Sequence, residues 1–328
     1  MSKEKKKIVV LFAGGTCLLD KQGHILTIKE KTDIDSWLQQ MPELNILADI
    51  KPILISGEDE IITSQIWEKL ALTILDNFVE ADGFVVVTKI DQLIETSLAL
   101  DFMLQHFQKT IITTSSYVSG TSFVDKKETI NTLKSKFGGL GLRANLINAL
   151  QVADQPLPGP ALMFGSRLIP AITTIYQQPG DINFFSSLDG VYWGKVDFGV
   201  NVKSGLSYSS HKSKIYRKIA ADVLVLDDIP GVPWNFAKEQ AVKYKAIFIK
   251  VKPFQALDTD KQKQIGQWKQ PVVLYNQQTV MDAKGVGAIS GCTEQAAIVK
   301  TMWAVAHHAK LADFKVVMQQ NIIGEFIN

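Results

Sequence analysis

Chemistry-bearing side chains first concentrate where an apolar run meets two glycines and a threonine, Ile8-Val9-Val10-Leu11-Phe12-Ala13-Gly14-Gly15-Thr16. The run reads as a buried strand, and the glycines let the backbone turn sharply and approach a ligand closely. Ligands of open α/β sheets bind outside the carboxyl ends of the strands, so the Thr16 hydroxyl is a candidate nucleophile or substrate contact. The alternative is a tight turn in which Thr16 only caps the segment that follows. Cys17 is a second thinkable nucleophile, but alternation along a strand points it the other way. A further set of polar groups, Thr88-Lys89-Ile90-Asp91, ends the run from Gly83 to Val87. An unactivated hydroxyl is a weak nucleophile and needs a positioned base to take its proton. Two other motifs carry less. Gly138-Gly139-Leu140-Gly141 lacks the Lys-Ser or Lys-Thr of a phosphate loop. His307-His308 would point about 100° apart on a helix, with no acid or cysteine at ligand spacing, so no metal site is expected.

These residues need strands and helices to hold them. Ile8 to Ala13, Pro52 to Ile55, Phe84 to Thr88, Thr110 to Thr113 and Ala161 to Phe164 read as strands. Ser64 to Val79, Ile94 to Phe107 and Leu142 to Val152 read as helices between them. Strand and helix in alternation imply crossover connections and a mostly parallel sheet covered on both faces. Lys203 to Lys218, rich in turn formers and without sustained period, is the linker candidate. Beyond it, Val223 to Leu226, Ala246 to Val251, Pro271 to Tyr275 and Gly287 to Ile289 read as strands, and Glu294 to His308 as a helix. The expected fold class is therefore α/β in two domains: a larger, mostly parallel N-terminal sheet domain over 1–203, a linker over 204–218, and a smaller α/β domain over 219–328.

Several of these stretches recur in the order and approximate spacing of one enzyme family. The Gly14-Gly15-Thr16 strand end, the segment from Gly83 to Asp91 with Glu95-Thr96 and Leu100-Asp101, the helix from Leu142 to Leu150, and Gly287-Ala288-Ile289-Ser290-Gly291-Cys292-Thr293 with Lys300 and Met302-Trp303 carry the likeness. On these residues the chain resembles the bacterial and archaeal L-asparaginases, nearest to the cytoplasmic type. The resemblance implies the asparaginase fold, no cofactor, and catalysis by two threonines: one attacks the amide carbon, and the other shuttles protons within a Thr-Lys-Asp group. By that likeness Thr16 is the nucleophile and Asp91 the acid of the relay, with Lys89 beside it. Gly15, Asp59, Glu60 and Thr114 fall where substrate is contacted. The resemblance further implies sites between subunits, hence a homodimer or homotetramer.

The chain departs from the family at the site. The second threonine's position is Ile90, which has neither lone pair nor proton to give. The family lysine's position falls on Ile175 or Tyr176, and no lysine lies between Lys136 and Lys195. Thr88 could replace the missing hydroxyl, but two residues along a strand displace it by about 7 Å. The family's lid tyrosine falls near Thr27. Its serine contact falls near Asp59 or Glu60, where an acid repels an α-carboxylate. The Arg-Pro loop is replaced within Thr113 to Ser119, the aspartate before the Leu142 helix is about Gly141, and the final Thr-x-Glu ends in Gln295. The glycine-rich loop of the smaller domain corresponds to Val251 to Asp258, whose glycines are gone. Three functions follow. The first is a homologue with little or no asparagine hydrolysis, kept as a binding or assembly module, alone or beside a hetero-partner. The second is hydrolysis of another amide by Thr16, with Asp91 orienting and Lys89 or Tyr117 standing in for the shuttle. The third is ordinary asparaginase activity.

Composition excludes other classes. With 46% hydrophobic and 21% charged residues in 328, the chain is globular rather than disordered or fibrous. A formal charge of +2 without a basic stripe gives nucleic-acid binding no support. The apolar run after the basic Met1 to Lys7 is too short for a secretory signal, and no stretch is long enough to span a bilayer. Cys17 and Cys292 cannot build a disulfide framework, so cytoplasmic residence is expected, with a small amide or amino acid as the ligand.

Overall fold

The computed structural model describes residues 5–19, 24–117, 142–177, 184–196, 199–229, 231–234, 237–254, 257–280, 286–308 and 310–327. Gly138 to Gly141, Val118, Ser119, Gln255 and Ala256 lie outside them. Two compact units divide the chain, Met1–Ile215 and Tyr216–Asn328.

The first unit is built on an eight-stranded sheet. Its strands are β1 (Lys7–Ala13), β2 (Asp49–Ser56), β3 (Gly83–Thr88), β4 (Thr110–Thr114), β5 (Ala161–Phe164), β6 (Arg167–Pro170), β7 (Gly194–Val196) and β8 (Val200–Val202). They lie in the order β8-β7-β6-β5-β4-β3-β1-β2. β2, β1, β3, β4 and β5 pair in parallel, and the three strands beyond them turn antiparallel. Strands buried on both faces must be apolar throughout, which is why β1 and β3 read as unbroken runs rather than alternating ones. Ile8, Val10 and Phe12 on one face pack with Trp37, Leu142 and Leu146, and Trp37 meets Phe12 edge to face at 5.5 Å. Helices α1 (Ser64–Asp76) and α2 (Leu93–Met103) follow β2 and β3, and α3 (Leu142–Val152) supplies Leu142 and Leu146. The α2 hydroxyl Ser97 Oγ lies 2.5 Å from Thr113 Oγ1 of β4, which fixes α2 on the face opposite Trp37. β1 and β3 are neighbours in register, Ile8 opposite Gly83 and Ala13 opposite Thr88, as the alternation of runs implies.

The second unit holds a parallel sheet in sequence order, β9 (Val223–Asp227), β10 (Ala246–Lys250), β11 (Val272–Tyr275) and β12 (Gly287–Ile289). Its longer helices are α4 (Thr259–Gln267), α5 (Glu294–His307) and α6 (Leu311–Gln319). Asp258 caps α4 by accepting from Lys261 N at 2.8 Å, and Thr293 caps α5 by accepting from Ala296 N at 3.1 Å. Both caps satisfy amides that a helix start leaves unpaired. Among the described residues no helix is long and apolar enough to cross a membrane, and no three His, Cys, Asp or Glu side chains are grouped to hold a metal ion.

Candidate active site at the strand ends

β1 stops at Ala13, and Gly14 and Gly15 take the left-handed conformation at φ 79° and 67°. A Cβ on Gly15 would lie 1.9 Å from the carbonyl oxygen of Thr88, so only glycine lets β1 leave so close to the end of β3. Gly15 O accepts from Ser116 N at 3.0 Å, which fixes the turn from the other side.

The turn delivers Thr16 into a closed ring of hydrogen bonds. Thr16 is fully buried, and its backbone N and its Oγ1 both donate to Glu58 Oε2, at 2.8 and 2.7 Å. Oγ1 in turn accepts from Ile28 N at 2.8 Å, Glu58 N donates to Ile28 O at 2.9 Å, and Trp37 Nε1 donates to Thr16 O at 2.8 Å. Glu58 is 2% exposed, and its second oxygen, Oε1, has no partner among the described residues. A carboxylate at this distance from a threonine hydroxyl has the geometry of a general base toward a nucleophile. The same contacts also lock the hydroxyl in place.

Glu58 is the residue that sequence reading missed, having placed the contact at Asp59 or Glu60. Both of those are exposed: Asp59 pairs with Lys29 at 2.8 Å, and Glu60 Oε1 accepts from Gly57 N at 2.7 Å. Three consecutive residues carry carboxyl groups here, and in a loop no periodicity says which one turns inward. Lys89 crosses the turn: its methylenes lie 3.0 Å from where a Gly14 Cβ would be, and its Nζ donates to Glu60 O at 2.6 Å. Thr114 is buried and donates to Met163 O at 2.7 Å, a bond from β4 to β5. Asp91 is exposed in the 3-10 turn Ile90–Gln92. The carboxylate that holds the main chain at the end of the turn is that of Glu58, through Thr16 N. Burial and the neighbouring Glu58 charge push the Cys17 thiol up to about 12, so it is not a thiolate nucleophile at neutral pH.

Three further hydroxyls line the carboxyl edge. Register places Ser56 and Thr88 on either side of Ala13, and Ser115 follows Thr114, which pairs with Val87. The register shifts between Phe12 and Ala13, so the three hydroxyls belong to three neighbouring strand ends rather than to one face. All are buried, and none of the three hydroxyls has a hydrogen-bond partner among the described residues.

Of the two positions considered for a relay lysine, Ile175 pairs with Ser186 in a hairpin, while Tyr176 donates its hydroxyl to Asp91 O at 3.2 Å. Burial, then the Glu95 and Asp91 charges, raise the Tyr176 pKa. Burial, opposed by a backbone hydrogen bond and reinforced by the Asp91 charge, raises Glu95 to about 6 from 4.5. Folded chains therefore hold this proton more tightly than unfolded ones. The stability linked to it is complete below about pH 4.5 and is lost as pH rises to about 6. Glu95→Gln should remove that loss and stabilise the chain at pH 7 by up to about 2 kcal/mol. Urea midpoints at pH 4.5 and 7 check this; an unchanged pH dependence refutes it.

Residues 7–136 match the family model described as asparaginase, N-terminal. Over 194 residues the chain is 27% identical to L-asparaginase 1 of Escherichia coli strain K12, covering 56% of this chain and 51% of that protein. A 105-residue stretch is 30% identical to a glutamyl-tRNA(Gln) amidotransferase subunit of Methanosarcina barkeri, covering 31% of this chain and 25% of that one. The matched region thus spans about half the length of the bacterial relative and a quarter of the archaeal one. The thermostable L-asparaginase from Thermococcus kodakarensis superposes with a TM-score of 0.75 at 20% identity, over 98% of this chain and 99% of that one. L-asparaginase I from Vibrio cholerae gives 0.73 at 20%, over 99% and 100%. The two-domain fold is the one those structures have.

Proposed function

We propose that this chain is an asparaginase-family member that hydrolyses asparagine at or near background and keeps the strand-end crevice as a binding site. The observation that carries this reading is the state of Thr16: fully buried, with N and Oγ1 both committed to Glu58. The surrounding relay is incomplete as well. Position 90 is a buried isoleucine, and the Lys89 ammonium is bound to a loop carbonyl. Groups that act as a unit are strongly non-additive, so Ile90→Thr alone restores nothing. Ammonia release from asparagine and glutamine tests the proposal, with the Escherichia coli relative assayed in parallel. The expected rate is at least about a thousandfold below that of the relative, the scale on which loss of a nucleophile's activating unit is felt. A rate within about tenfold of it overturns the reading.

The 2.7 Å contact between Thr16 Oγ1 and Glu58 favours one second reading, hydrolysis of a different amide. There Oγ1 attacks the carbonyl carbon as its proton passes to Glu58, the amine leaves with that proton, and water hydrolyses the ester. Asp91 and Lys89 would then frame the mouth, and Gly15, Asp59, Glu60 and Thr114 would shape it. Cytoplasmic residence and assembly as a homodimer or homotetramer belong to the same proposal. The similarity to one component of an amidotransferase supports a hetero-partner as the alternative assembly.

A further inference from the structure

We propose that Glu58 sets the class of ligand: the strand-end site takes a small molecule that presents an ammonium or other N–H donor to Oε1, and rejects one that presents a carboxylate. This deepens, and rests on, the reading of the crevice as a retained binding site. Oε1 belongs to a side chain 2% exposed, yet it has no partner among the described residues, while Oε2 takes both donors of Thr16. A buried carboxylate oxygen left open favours a donor, and a charged donor most of all. The neighbouring ammonium groups are engaged elsewhere. Lys29, whose charge is felt with that of Glu58, is exposed and paired with Asp59 at 2.8 Å, and Lys89 is on Glu60 O at 2.6 Å. A ligand carboxylate would meet the Glu58 charge, with the Lys29 charge offset by Asp59 and the Lys89 ammonium held on a loop carbonyl, and like charges in a partly dry site repel strongly.

Buried hydroxyls at the neighbouring strand ends supply the rest of the recognition. Ser56, Thr88 and Ser115 are buried without partners among the described residues, and Ser115 Oγ lies 3.0 Å from where a Gly15 Cβ would be, one residue from Thr16. A hydroxyl both donates and accepts, so unpartnered hydroxyls at these strand ends suit the carbonyl and N–H groups of a primary amide. The ligand class is thus a short primary amide bearing an amine.

The test compares three amides of similar length on the whole chain by isothermal titration: 3-aminopropanamide, propanamide and succinamic acid. The expected order of affinity is the order named, with the cationic amide at least about tenfold tighter than the anionic one, as repulsion and attraction by one buried charge require. Glu58→Gln keeps the shape, removes the charge, and is expected to bring cationic and anionic amides within about threefold. Succinamic acid binding as tightly as the cation, no binding by any of the three, or the same order in Glu58→Gln each overturn the proposal. If Glu58→Gln fails to fold, the wild-type order alone decides. Ammonia release from asparagine at the rate of the bacterial relative would sink the function reading while leaving this order to be judged separately.

Discussion

Replacing Lys300 by methionine should lower the unfolding free energy by about 3–5 kcal/mol, the cost of breaking a buried ion pair from one side. Lys300 lies in the middle of α5 and is fully buried. Its Nζ lies 2.6 Å from Glu325 Oε1 and donates to Met318 O at 3.1 Å and Gln320 O at 2.5 Å. It also sits 4.5 Å from the centre of the Phe326 ring. Glu325 is equally buried and accepts from Ile322 N and Ile323 N, both at 2.9 Å. The pair therefore pins the chain after α6 onto α5. Burial lowers the Lys300 pKa, and Glu325 opposes that shift, so the ammonium depends on its partner. Methionine matches the stem but leaves the buried carboxylate without its counter-charge and takes the ammonium donor from the Met318 and Gln320 carbonyls. Lys300→Met with Glu325→Met should recover much of the loss, because paired removal deletes the desolvation cost together with the attraction. Urea denaturation of the singles and the double decides; a single variant within about 0.5 kcal/mol of wild type, the ordinary range for an inconsequential change, would show that the pair is not structural.

Glu58→Ala should cost about 2–4 kcal/mol, since it strands two buried donors of Thr16, each worth about 1–3 kcal/mol when left unpaired. The gain from no longer burying a half-partnered carboxylate sets the lower end of that range. Thr16→Val, which keeps the branched shape and deletes the hydroxyl, should cost about 1–3 kcal/mol by orphaning Ile28 N and removing one bond to Glu58. Residues that share a hydrogen bond couple, so the double variant should be less damaging than the sum by at least about 0.5 kcal/mol. Strict additivity would mean that the ring through Thr16, Ile28 and Glu58 is not a unit. The measurement also separates roles. Loss of stability without change in any amide hydrolysis marks a lock, whereas intact stability with loss of a hydrolytic rate marks a working nucleophile and base.

Local pattern was enough to determine the layered architecture. Strands buried on both faces must be unbroken apolar runs, and helices must carry a stripe, so β1, β3, β10, β11 and α3 are legible where they stand. The Gly14-Gly15 turn is legible for the same kind of reason: only glycine tolerates φ near 79° and 67° with a carbonyl pressed against its Cα. Which side chain faces Thr16 was decided only by tertiary structure. Glu58, Asp59 and Glu60 are chemically alike and consecutive in a loop without period. The inward one is held by the hydrogen bond of its backbone N to Ile28 O and by its own bonds to Thr16, which no local signal encodes. Where the Tyr176 hydroxyl ends is likewise a matter of tertiary structure: strand register puts Tyr176 opposite Phe185 and its hydroxyl on Asp91 O. Lys300 is an ordinary helix residue in sequence, and it becomes a buried charge only because the carboxylate of Glu325, far along the chain, folds back onto it. Residue type and spacing fix which elements form, because those depend on neighbours along the chain. Side-chain direction in loops and the pairing of buried charges depend on neighbours in space, and these the fold alone supplied.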